Sequence, residues 1–81
     1  MSRQTVSAEQ LLEILNRELA TRDECAECTF TGELRRLTDP YPDGGNWDRS
    51  LVVRGRPRDP HQCGAAAADI ISAIAAEYNL Q

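Results

Sequence analysis

The sequence has no lysine, a single histidine, and only one tryptophan and one phenylalanine. Without lysine there is no side-chain amine for Schiff-base or amine-nucleophile chemistry. With His61 as the sole imidazole, any Ser/His/Asp or Cys/His arrangement must be built around that one residue, whose nearest nucleophile in sequence is Cys63. No run approaches the roughly 18 apolar residues that cross a membrane, and the opening MSRQTVSAEQ lacks the apolar core of about 7–15 residues that a signal peptide carries. These absences lead us to expect a cytoplasmic protein with no membrane partner, in a compartment where thiols are ordinarily reduced.

What is present fits one small folded unit. Eighty-one residues, 41% hydrophobic and 27% charged, can close a single core, so residues 1–81 are expected to form one α+β domain. A core of this size supplies only about 3–5 kcal/mol of net stability, so a metal, a disulfide or a second subunit is a reasonable added constraint. The net charge of −4 is unevenly placed. Residues 1–34 carry three Arg against seven acids, residues 35–58 carry six Arg against three Asp, and residues 59–81 carry three acids and no base. The middle is basic and the two ends are acidic.

VSAEQLLEILNRELATR predicts a helix: Ser7 is a suitable N-cap, Gln10 completes a capping box, and Val6 stands where a staple to Leu11 would form. Leu11, Leu12, Leu15 and Leu19 share its apolar face, with Ala8 and Ile14 at the margin. The pattern then changes to alternation, with Cys28, Phe30, Gly32 and Leu34 on one side and Thr29, Thr31, Glu33 and Arg35 on the other, as in a half-buried strand. TDPYPDGGN is turn chemistry. WDRSLVVR predicts a second strand, with Trp47, Leu51 and Val53 facing one way and Asp48, Ser50, Val52 and Arg54 the other. Asp59 as N-cap and Pro60 at the first helical position open a final helix whose inner face carries Cys63, Ala67, Ile70, Ile71, Ile74 and Tyr78. The expected order is α-β-β-α, two helices packed on one face of an antiparallel hairpin.

Cys25, Cys28, His61 and Cys63 make up a complete tetrahedral ligand inventory for zinc. The pattern opposes that reading in one respect: in a helix starting at residue 60, His61 and Cys63 differ by about 200° around the axis. The simplest alternative is packing, because Cys28 is in phase with Phe30, and Cys63 with Ala67 and Ile70, so both look toward the core; Cys25, ahead of the strand, is the cysteine expected to be exposed. A thiol switch lies between these readings, since Cys63 falls in the first turn of a helix and within possible reach of Cys25 or Cys28.

The arginines of the middle segment, Arg35, Arg36, Arg49, Arg54, Arg56 and Arg58, lie on or beside the hairpin, where Tyr41 or Trp47 could stack on a base. The element order and the Ala-rich last helix, CGAAAADIISAIAAEY, resemble the double-stranded RNA-binding domain, which implies an RNA partner. This chain departs from that family's plan in lacking a third strand and in carrying DPHQCG where the family has a basic cluster. An acidic, lysine-free chain also makes few phosphate contacts, which argues against nucleic acid as the partner. Asp23, Glu24 and Glu27 cluster in a turn and DGGN forms a loop tip, both of which read as ordinary turn chemistry.

The resulting expectation is a non-enzymatic protein-interaction module with no cofactor. Its binding surface would comprise Arg35, Arg49, Val52 and Arg54 with Tyr41 and Trp47, and its open strand edges would permit self-association as a homodimer. A zinc-binding domain, a thiol switch and a weak RNA binder are the alternatives.

Overall fold

A computed structural model describes residues 3–81. The α+β class and the α-β-β-α order both stand, with a short parallel ribbon added at the ends of the described chain. The elements are β1 (Gln4–Val6), α1 (Ala8–Ala20), a 3-10 turn (Asp23–Cys25), β2 (Cys28–Thr31), β3 (Val52–Gly55), α2 (Pro60–Glu77) and β4 (Tyr78–Leu80).

Both helices begin where their caps dictate. The Ser7 hydroxyl accepts from the Gln10 amide at 3.1 Å and the Gln10 side chain accepts from the Ser7 amide at 3.0 Å, so two otherwise orphaned donors are satisfied reciprocally. Asp59 accepts from the Gln62 amide at 3.1 Å, and Pro60 occupies the start of α2, where its missing N–H costs nothing. Leu11, Leu15 and Leu19 of α1 are fully buried, each contributing about 1.5–3 kcal/mol relative to exposure. α1 lies against β2, while α2 lies against α1 and the 3-10 turn. Cys63, Ala66, Ala67, Ile70, Ile74 and Ala75 form the buried stripe of α2, the alanines allowing close approach.

The hairpin is longer than its regular strands. β2 and β3 pair antiparallel, Cys28 with Gly55 through Thr31 with Val52. Farther along, Arg36 bridges Trp47, flanked by Asp48 N–H to Arg35 C=O at 2.9 Å and Leu37 N–H to Asn46 C=O at 2.8 Å. Equal numbers of residues intervene on the two sides, so this outer rung keeps the register of the inner one. Between the two rungs lies Gly32, with φ of 119°, and Asp48 turns its carboxylate onto the Ser50 amide at 2.9 Å. The expected strands at 28–35 and 47–54 are therefore one ladder with a gap, whose phase matches the predicted alternation: Phe30, Leu34 and Trp47 are buried, and Thr29, Glu33, Arg35, Val52 and Arg54 are exposed.

The ribbon was not expected. Gln4, Thr5 and Val6 pair in parallel with Tyr78, Asn79 and Leu80, and Gln81 N–H adds a bond to Val6 C=O at 2.9 Å. Val6 thus enters a strand, and Tyr78, which we read as the last inward position of the helix, instead begins β4; the Tyr78 N–H still bonds the Ile74 carbonyl as α2 ends. The outward groups of β4 are claimed by the hairpin. Trp47 Nε1 donates to the Tyr78 carbonyl at 3.1 Å, and the Asn46 amide both donates to the Leu80 carbonyl at 2.8 Å and accepts from the Leu80 N–H at 2.7 Å. One asparagine side chain here does the work of a neighbouring strand.

Candidate functional site

Two of the three cysteines meet where the 3-10 turn reaches the first turn of α2. Cys25 and Cys63 are joined as a disulfide across 38 positions, with Cα atoms 5.0 Å apart. The geometry follows from the turn: Cys25 N–H bonds the Arg22 carbonyl at 3.1 Å, Ala26 N–H bonds the Asp23 carbonyl at 3.1 Å, and Arg58 N–H reaches back to the Glu24 carbonyl at 3.1 Å. These bonds draw the turn under α2, and Cys25 is 1% exposed, which corrects the expectation that it would lie at the surface. Cys28 and Cys63 face inward as their phase implied. Cys28 is a buried free thiol, its Sγ 3.7 Å from the Ala26 carbonyl.

His61 is exposed at the start of α2, two positions before Cys63 and on the opposite side of the helix from the apolar stripe. With the Cys25 and Cys63 sulfurs bonded to each other they are not available as thiolate ligands, and no group of three His, Cys, Asp or Glu side chains among the described residues is placed to hold a metal ion. Of the four zinc candidates, Cys25 and Cys63 are joined by a covalent S–S bond, Cys28 is a separate buried thiol and His61 stands exposed.

The binding-surface candidates divide. Val52 is 61% exposed on the outer face of the hairpin, with Arg54 beside it at the next same-face position and Arg35 on the first strand. Trp47 is corrected outright: it is 0% exposed, the largest fully buried side chain, held by its bond to Tyr78. A large aromatic on the inward phase of a half-buried strand has its ring in the core, so it cannot stack on a ligand. Tyr41 and Arg49 form a unit of their own. The Arg49 guanidinium sits 4.1 Å from the Tyr41 ring centroid and pairs with Asp43 at 3.1 Å, while Arg3 approaches the same carboxylate at 3.8 Å. The Gly45 amide donates to Asp43 at 2.8 Å; that bond, followed by the Arg49 hydrogen bond, holds the Asp43 carboxyl below its usual value. These groups are spent on one another and fasten the loop, together with Asn79 Nδ2 donating to the Gly44 carbonyl at 3.3 Å.

The edges of the hairpin differ. Phe30 N–H donates to Asn16 Oδ1 of α1 at 2.7 Å, so the outer edge of β2 is occupied. That bond also fixes the phase of the ladder. Phe30 turns its backbone groups away from β3, so its partner Val53, in the same non-bonded pair, turns its own away from β2. Among the described residues, the outward N–H of Val53 meets no partner. Gly55, with φ of 131°, ends the edge where the chain crosses Cys28; a Cβ there would collide with the Glu27 carbonyl oxygen.

The chain matches no protein-family model, no curated protein and no solved structure, so its site is read from its own geometry. Of the two partners that the sequence left open to Cys63, the structure joins it to Cys25. The feature missed by pattern reading was the difference between the two strand edges. Its only sequence sign was Asn16, a polar residue flanked by the apolar positions of α1.

Proposed function

We propose that this protein is a non-enzymatic interaction module that contacts a protein partner through the outer side of the β2–β3 hairpin. One observation carries the reading: the open edge of β3 lies beside Val52, the exposed large hydrophobic of the described residues, on a face that neither helix covers. The loop cluster of Tyr41, Asp43 and Arg49 supports this face from one end by keeping the second half of the hairpin fixed, which lowers the ordering cost of contact. The test is site-directed photo-crosslinking, with a photoreactive phenylalanine derivative at position 52 or, on the exposed side of α2, at position 72. A discrete adduct at 52, absent at 72 and competed away by excess unmodified protein, is expected. Equal labelling at both sites, or none at either, defeats the reading.

A thiol switch is the second reading, favoured by the Cys25–Cys63 disulfide in a chain that also keeps a free thiol at Cys28. A dithiol reductant would convert the bond to two thiols and itself become a disulfide. Opening the crosslink should retard the chain on a non-reducing denaturing gel, in the Cys28→Ser variant as in the wild type. Identical mobility across thiol buffers spanning reducing to oxidising conditions removes this reading.

A further inference from the structure

We infer that the occupant of the hairpin edge is an extended acidic segment, which adds to β3 as a third strand with acidic side chains on the outer face and apolar ones on the inner face. The inference rests on the interaction reading above and names the chemistry of its partner.

Three observations carry it. The first is the edge itself, bare at Val53 while its counterpart on β2 is closed by Asn16. Main-chain hydrogen bonds to such an edge supply affinity, and alternate side chains supply selectivity. The second is charge. Arg35, Arg49 and Arg58 each have a carboxylate partner, at 3.6, 3.1 and 2.8 Å. Among the described residues Arg54 and Arg56 have none within 4.0 Å, in a chain whose net charge is −4. Arg54 follows Val52 on the same face of β3, so an acid on an added strand stands beside it, and Arg56, just past the end of the strand at Gly55, adds positive charge where the edge closes. The third is the inner face, where Val53 and Leu51 are only partly buried against the core. Apolar side chains on the alternate positions of the guest would complete their cover.

The same arginines disfavour a second copy of this chain. Two β3 strands paired antiparallel about Val53 would place Arg54 of each copy diagonally across from the other, with no acid on either strand. Like charge at an edge discourages self-pairing while leaving the edge receptive to a guest of opposite sign.

The test uses the full chain with its disulfide intact, labelled with 15N, and an end-capped seven-residue peptide of alternating glutamate and valine. The Val53 amide is expected to shift downfield and exchange more slowly, while the Phe30 amide, already bonded to Asn16, stays in place. A lysine–valine peptide should bind roughly tenfold more weakly, because its charges meet Arg54 across the strands and Arg56 at the strand's end with the same sign. Methylating the peptide nitrogens that face β3 should abolish the shifts. The double variant Arg54→Glu, Arg56→Glu alters only exposed side chains and should reverse the preference between the two peptides.

Equal binding of the glutamate and lysine peptides overturns the acidic selectivity but leaves the hairpin as the contact surface. An undiminished response to the methylated peptide overturns strand addition. Shifts at Val53 that grow with protein concentration alone assign the edge to a second copy, and a uridine oligonucleotide that outcompetes the glutamate peptide assigns it to RNA; both overturn the inference. No shift with any peptide also overturns it, and crosslinking at position 52 then decides independently whether the hairpin face is used at all.

Discussion

In the β1–β4 ribbon the outward groups of β4 are taken up by Asn46 and Trp47, and in the β2–β3 hairpin the outward Phe30 N–H of β2 is taken up by Asn16, while the Val53 N–H of β3 is left bare. Both sheets are two-stranded and too small to stand alone. The ribbon is made secure by polar side chains borrowed from another part of the chain, and the hairpin by a helix on one side only. An asparagine amide can imitate a strand because it offers a donor and an acceptor at nearly the spacing of a backbone unit. Where the chain places such a residue, the surface is closed; where it does not, the edge is open to a partner.

The contrast can be broken most forcefully at Trp47. Trp47→Ala should cost about 3–5 kcal/mol, comparable to the whole stability of a domain this small, because it empties the core and orphans the Tyr78 carbonyl. Urea denaturation would show a largely unfolded variant; a loss below about 1 kcal/mol would mean that the ring does not hold the ribbon to the hairpin. Next in size is the crosslink. Closing a loop of 38 residues restricts the unfolded chain by about 4 kcal/mol in the chain-entropy description, so the Cys25→Ala, Cys63→Ala variant should lower the denaturation midpoint and, because its unfolded chain is free to expand, steepen the slope.

Asn46→Ala sharpens the comparison. Losing both bonds to Leu80 should cost about 2 kcal/mol. Hydrogen exchange should quicken at the Leu80 amide and not at Phe30, since the two clasps lie on different edges. The smallest effect is expected at Asp43. Its folded pKa lies below the ordinary 3.8, so its contribution is fully present above that value and fades as pH falls through the folded value. The stability difference between wild type and Asp43→Asn should therefore be constant near neutrality and shrink below about pH 4 in acid denaturation series. A difference that persists at lower pH would show that the ion pairs of Asp43 do not cause it.

Much of the fold was legible because it obeys short-range rules. Ser7 with Gln10, and Asp59 with Pro60, mark helix starts through bonds made within one turn, and the alternation from Cys28 to Arg35 records which face of a strand is wet. The ribbon was not legible. Three residues give no period, and Gln4–Val6 finds its partner only after the entire fold has brought Tyr78–Leu80 beside it. For the same reason Tyr78 read as helical: its spacing from Ile74 is right, and only Trp47 and Asn46, far away in sequence, make the extended form preferable. At the site, the inward phase of Cys28 and Cys63 could be read, whereas the burial of Cys25 depended on a 3-10 turn anchored by Arg58. Trp47 shows how a composition argument misleads, since an aromatic near arginines invites a binding role that its inward phase forbids.

The parallel pairing of β1 with β4 also determines how the molecule would respond to tension. Pulled apart by its two extremities, the ribbon is loaded in shear, so that its rungs share the strain instead of parting one after another. Were it to give way and the flanking helices to uncoil, the load would pass directly from residue 25 to residue 63 through sulfur. The whole hairpin lies inside that covalent bypass, so the open edge of β3 would be the last part of the chain to feel the force.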